Sequence, residues 1–143
     1  MSVFIALISG ISCTPTEGAE PTTEEYTVAM EAICVETATA LAALPPPPDD
    51  TGRTDFALAA AATIEAEAEL AREIEPPAIL DGDHRAFVAN TDQQAARWRD
   101  IAEIPAEDAD ELNRVSGEIG ALTLGRDDLA EEMGLAACRR TRS

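Results

Sequence analysis

A chain of 143 residues is one domain's worth of polypeptide, long enough to bury a core if its helices are amphipathic. Its 28 acids against 10 bases leave a net charge of -18, and every base is Arg, a balance that argues against nucleic-acid binding by phosphate neutralisation. With 45% hydrophobic but only 3% aromatic residues, the core must be built from Ala, Leu, Ile and Val, which suits closely spaced helices rather than a sheet, so the expected class is all-α.

Met1 to Ser12 carries no charge, and "VFIALISGI" is too short for a permanent membrane span but long enough for the apolar core of an export signal. Ser9, Gly10, Ile11 and Ser12 stand directly before Cys13 and resemble the lipobox of bacterial lipoproteins, in which a small residue precedes the cysteine that becomes lipid-modified. Gly10 replaces the usual Leu, and no basic residue precedes the apolar run. The resemblance implies a signal segment over 1–12, lipidation at Cys13, and a membrane partner reached through that lipid anchor; a buried N-terminal helix containing an ordinary apolar cysteine is the alternative. "TPTEGAEPTTEE" has no apolar period, so residues 13–22 are expected to form a solvated tether whose acids an anionic leaflet repels.

From Thr23 onward, Tyr26, Met30, Ile33, Thr37, Leu41 and Leu44 fall on one helical face. Thr23 supplies an N-cap hydroxyl, and Glu24 and Glu25 place acids in the first turn. "PPPPDDTG" at 45–52 ends this helix and reads as a stiff connector rather than a recognition ligand. A second helix, Thr54 to Glu75, aligns Phe56, Ala60, Ile64, Ala71 and Ile74 with Leu70 at the edge, and stops at Pro76 and Pro77. The third, Asp83 to Ile104, carries Phe87, Trp98 and Ile101 and stops at Pro105. The fourth opens at "AEDADELN" and runs through Leu112, Val115, Ile119 and Leu122. Short connections predict antiparallel neighbours, hence an up-and-down antiparallel four-helix bundle over 23–138 with a basic tail at 139–143.

With Cys13 lipidated, Cys34 and Cys138 are left, and in an exported chain a disulfide between them is the economical pairing. Two free thiols are the alternative if the chain stays in a reducing compartment. An unbroken fourth helix from Pro105 to Met133 is expected to overshoot the start of the first helix and to strand Cys138 far below Cys34. A break near Gly125 is therefore expected, with Gly125 left-handed and Asp127 and Asp128 opening a short helix that ends at Gly134. Arg126, Leu129 and Met133 argue the other way, because they continue the stripe of Leu112 to Leu122.

Glu67 lies in the middle of the second helix's apolar stripe, and Thr91 and Gln94 in the middle of the third's. In an antiparallel pair positions 67 and 91 share about one height, so Glu67, Thr91 and Gln94 are expected to form a buried polar layer, with Thr63 beside it. The carboxylate there accepts hydrogen bonds or is protonated, and the layer serves structural register ahead of ligand binding. His84, the single histidine, stands in "DGDHR". With Asp81 and Asp83 it offers a weak cation site, but a capping turn with a solvated imidazole is the stronger expectation. Ferritin-type di-iron ligands and Cys-x-x-Cys-His are missing from the sequence, and Ser12, Ser116 and Ser143 have no His at triad spacing, so no cofactor, metal or catalysis is expected.

The lipobox-like start, the Thr/Glu/Pro tether, "ICVETATALAALPPP" and "EEMGLAAC" together resemble small uncharacterised exported proteins of high-GC actinobacteria, in which paired cysteines near the ends of an Ala-rich helical domain flank diproline turns. The Lys-free, Ala- and Arg-rich composition matches such a coding bias. The resemblance implies an extracytoplasmic helical domain and brings no catalytic residues. The expected function is a surface-tethered, non-enzymatic domain that binds an envelope or secreted protein, or a small ligand, through its bundle grooves. An acidic cation-binding or buffering envelope protein is the alternative, drawn from the acid excess.

Overall fold

A computed structural model describes residues 18–46 and 49–141, so the expected signal segment, the expected lipidation site Cys13, Pro47, Pro48, Arg142 and Ser143 lie outside the described residues. Four helices follow from local signals: α1 (Thr23–Ala43), α2 (Asp50–Glu73), α3 (Asp81–Glu103) and α4 (Ala109–Glu132). α1 starts at a capping box in which the Thr22 hydroxyl accepts the Glu25 N–H at 3.2 Å while the Glu25 carboxylate accepts the Thr22 N–H at 3.0 Å. The cap is thus Thr22 rather than Thr23. Glu20 accepts the Ala78 N–H at 2.5 Å, so the expected tether is already docked before residue 22.

α2 begins at Asp50, ahead of the expected Thr54, where Asp49 accepts the Gly52 N–H at 3.1 Å. It stops at Glu73, and a 3-10 turn (Ala78–Leu80) after the two prolines leads directly into α3. Asp108 caps α4 by accepting the Glu111 N–H at 3.2 Å. Cross-helix pairs set the directions. Glu65 meets Arg99 and Arg72 meets Asp92 between α2 and α3, while Gln94 reaches the Leu122 carbonyl and Arg97 reaches Glu118 between α3 and α4. Each pair climbs one helix as it descends the other. The molecule is all-α, an up-and-down four-helix bundle, and no described helix is long and apolar enough to cross a membrane.

Two apolar clusters lie along its length. At one end Tyr26, Met30 and Cys34 of α1 meet Ala71, Phe87 and Ala130, together with Met133, Leu135 and Cys138. At the other end Ala57, Ile101 and Val115 pack with Ile104, Leu112, Ile119 and Trp98, whose ring stands edge-on to Phe56 at 5.8 Å. The second cluster holds no α1 residue, and the last buried position of α1 is Thr37. Along its backbone α1 lies nearest to α2 and to the segment that follows α4, while its side chains also reach α3 through Tyr26 and His84 and α4 through Cys34 and Arg126.

The expected break at Gly125 does not occur, because α4 runs unbroken to Glu132. The turn comes at Gly134, with φ 73°, where the Gly134 N–H donates to the Glu131 carbonyl at 3.0 Å and the Leu135 N–H to the Ala130 carbonyl at 2.7 Å, the two bonds of a Schellman motif. α4 does not overshoot α1: the Tyr26 hydroxyl donates to Met133 Sδ at 3.4 Å, so the helix ends level with the first turn of α1. From Tyr26 to Cys34 α1 rises about 12 Å, at about 1.5 Å per residue, a span that the chain from Gly134 to Cys138 covers. The chain therefore climbs back as a short hook ending in a 3-10 turn (Ala136–Cys138), with Cys34 and Cys138 bridged at a Cα separation of 4.9 Å. Full burial of Leu135 contributes about 2 kcal/mol to docking the hook.

Candidate functional site

Two elements bring charge to the centre of the hooked end. α2 contributes Glu67 and α4 contributes Arg126, each only 1% exposed, with Arg126 Nη2 donating to Glu67 Oε1 at 2.5 Å. Arg140 on the hook donates to the other carboxylate oxygen, so a single acid accepts from two guanidiniums. Arg126 also donates through Nη1 to the Cys138 carbonyl and lies over the Phe87 ring, 4.4 Å from its centre. Burial pushes the Arg126 guanidinium down to about 10, against the opposing pull of Glu67, which leaves it cationic at neutral pH. Its Nε–H has no partner among the described residues.

The network extends outward through the hook. Arg140 Nη1 donates to the Gln94 side-chain oxygen, and Gln94 Nε2 donates to Asn90 at 2.8 Å. Asp127 accepts the Arg140 N–H and the Thr141 N–H, each at 2.8 Å, together with the Thr141 hydroxyl. Burial alone would raise the Asp127 carboxyl, but these bonds and the Arg126 charge outweigh it and hold the group below its usual value. Glu31 on α1 accepts the Ala137 N–H at 3.0 Å. The hook backbone is thus gripped from both sides by carboxylates.

Of the expected polar layer, Glu67, Thr91 and Gln94 are all buried, and Arg140 joins Glu67 to Gln94. Thr91 stands apart, its hydroxyl donating to the Phe87 carbonyl at 2.9 Å within its own helix. Thr63 is half-buried and bonds back to Ala59 in the same way. Arg126, Asp127, Arg139 and Arg140 are members that sequence reasoning missed. Residues 139–141 are part of the folded body rather than a tail, since Arg139 and Arg140 are half-buried and Arg140 reaches the core. A signal for Arg126 was present: an arginine on an apolar stripe needs a buried anion, and Glu67 is the inward carboxylate.

His84 is not a solvated capping residue. It is 5% exposed, and its Nδ1 lies 3.0 Å from the Tyr26 hydroxyl, which joins the starts of α1 and α3. Burial pushes the imidazole below its usual value, partly offset by Asp81, and pushes Tyr26 up to about 12 with a further push from Asp83. Asp81 pairs with Arg85 at 2.8 Å, and among the described residues no His, Cys, Asp and Glu cluster of metal-holding size is found.

Beside the buried network, α1 and the hook enclose a groove of about 570 Å³. Val35, Ala38, Leu41 and Ala42 form its apolar wall, the disulfide lies within it, and Arg126, Arg139 and Arg140 reach it from the opposite side with Glu67. Comparison with protein-family models, curated proteins and solved structures finds no match to this chain.

Proposed function

We propose that the protein is an exported, lipid-anchored helical domain that works by binding a ligand in the groove between α1 and the hook, without catalysis. The observation that carries this reading is the Cys34–Cys138 bridge, which closes one wall of that groove. A bridge of this kind persists in an oxidising compartment and is reduced in the cytosol. It takes up two of the three cysteines and leaves Cys13, after the uncharged apolar run, as the thiol available for lipid. There the Cys13 sulfur takes a diacylglyceryl group from a membrane phospholipid, a C–S bond forming as the lipid's glyceryl C–O bond to phosphate breaks and the thiol proton leaves with the phosphate headgroup; water then cleaves the Ser12–Cys13 peptide bond, the freed amine takes an acyl chain from a second phospholipid, and the chain is anchored to the membrane rather than inserted through it. The groove has the volume of a small-molecule site, and its apolar wall beside fixed charged donors is the usual composition of one.

Intact mass of native protein extracted from membranes, with and without reductant, tests the placement. The expected species starts at Cys13, carries diacylglyceryl and acyl mass, and gains hydrogens at one bridge on reduction. A product that begins at Met1 with every thiol free overturns it.

A further inference from the structure

His84 closes one side of a second groove, of about 480 Å³, where the end of α2 meets the start of α3. Its side chain is only 5% exposed, and its Nδ1 faces inward to the Tyr26 hydroxyl at 3.0 Å, so the opposite edge of the ring borders the groove. Nε2, on that edge, has no hydrogen-bond partner and, unlike the orphaned Nε–H groups of Arg53, Arg126 and Arg139, keeps accessible surface. A phenol has one proton, and Tyr26 gives its own to Met133 Sδ at 3.4 Å. Its oxygen therefore accepts the His84 Nδ1–H, and Nε2 carries the free lone pair. A proton on Nε2 would draw one of the groove's carboxylates onto it, and none accepts from it. Burial holds the imidazole below its usual value, which keeps the ring neutral at pH 7.

The surroundings of Nε2 select the charge of its donor. The two arginines of the groove are committed, Arg72 to Asp92 at 2.7 Å and Arg85 to Asp81 at 2.8 Å. Glu73 and Glu75 are exposed and form no ion pair among the described residues. The negative end of the α2 dipole adds to the same field. A carboxylate or phosphate would meet like charge and a lone pair here. A metal ion needs several ligands, and among the described residues no cluster of His, Cys, Asp and Glu is of the size to hold one. We propose that this groove binds a small primary alkylammonium ion, which donates an N–H to His84 Nε2 while Glu73 and Glu75 balance its charge and its alkyl chain lies against Ile74 and Pro76. The bond is charge-assisted and so stronger than a neutral one. This site is separate from the groove between α1 and the hook and does not depend on it.

The test titrates the folded, disulfide-bonded chain, carrying isotope-labelled histidine, with butylammonium, tetramethylammonium, butyrate and Nα-acetyl-lysine amide. Nuclear magnetic resonance follows the ring nitrogens of the single histidine. In the free protein Nδ1 is expected to be protonated and Nε2 bare. Butylammonium should saturate at one ion per chain and move the Nε2 signal. Tetramethylammonium, which has the charge but no N–H, and butyrate should each bind about tenfold more weakly, the loss of one charge-assisted bond. Nα-acetyl-lysine amide binding as tightly as butylammonium places the ammonium on a protein side chain, and binding more weakly places it on a free amine; both support the site. His84→Leu should lower butylammonium affinity about tenfold. Because that change also strips Tyr26 of a partner, Glu73→Gln combined with Glu75→Gln gives a second reading at exposed positions, expected to weaken butylammonium about threefold at an unchanged melting temperature. A proton found on Nε2 in the free protein, or butylammonium that binds no tighter than tetramethylammonium, overturns the proposal. Unchanged affinity in both variants does the same.

Discussion

Glu67 is shared by Arg126 and Arg140, and this makes its energetics asymmetric. Removing the acid leaves a fully buried guanidinium without its anion, whereas removing Arg126 leaves Glu67 still held by Arg140. Glu67→Gln is therefore expected to cost about 3–5 kcal/mol, and Arg126→Leu clearly less. The double change Glu67→Leu with Arg126→Met should recover much of the loss, because a buried pair replaced by apolar groups of similar volume is often neutral. Urea midpoints of the four proteins decide this, and an Arg126→Leu variant weaker than Glu67→Gln would contradict the shared-acid arrangement. His84 gives a second residue-scale expectation. Its folded-state pKa lies below the unfolded value of 6.5, so the unfolded chain takes up the proton first, and stability present above pH 6.5 is lost as pH falls through the folded value. The depressed carboxyls Glu25, Glu111 and Asp127 act lower, since their reference values are 4.5, 4.5 and 3.8. Melting temperature should thus fall as pH drops below about 6.5 in the native chain and stay flatter in His84→Gln, which keeps a polar partner for Tyr26 without the titration.

At the scale of elements, two glycines of α4 and its exit respond in opposite directions. Gly134 has φ 73° with open space where the methyl group of an alanine would stand, so Gly134→Ala costs only the backbone strain, about 1 kcal/mol. Gly125 is helical, and a Cβ there meets Asn90 Nδ2 at an ordinary 3.5 Å, so Gly125→Ala is expected to stabilise by about 0.5–1 kcal/mol. Chemical denaturation reads both signs, and a stabilising Gly134→Ala would contradict the turn. The same pair shows what was legible beforehand. Proline punctuation and apolar stripes set all four helices to within a few residues, and the inward placement of Glu67, Thr91 and Gln94 followed from spacing alone, whereas the expected shared height of positions 67 and 91 did not bring Thr91 to Glu67. The hook did not, because "CRRTRS" carries no apolar period, and hydropathy cannot distinguish a solvated arginine from one that neutralises a buried acid. Choosing Gly125 over Gly134 followed from an assumed overshoot of α4 past α1. The real end of α4 is set by Tyr26 and Met133, a contact 107 residues apart in sequence.

For the whole molecule, the bridge joins positions 104 residues apart. Reducing it should lower stability by about 4–5 kcal/mol in the chain-entropy description. The loss should fall first on the part of α1 that the bridge clamps to the hook, so hydrogen exchange in reductant is expected to expose Met30 to Thr37 before Ala57 or Val115. Uniform exchange across both clusters would contradict that order. The hook also dictates a sequence of assembly. Hairpins of α2, α3 and α4 can zip from neighbouring contacts, but Glu67 has no counter-ion from its own helix pair and waits for Arg126 and Arg140, 59 and 73 positions downstream. Closing α1 likewise calls on distant chain, since Cys34 is bridged to Cys138 and Glu31 holds the Ala137 N–H, so the sulfur seal ties together the two ends of the described fold.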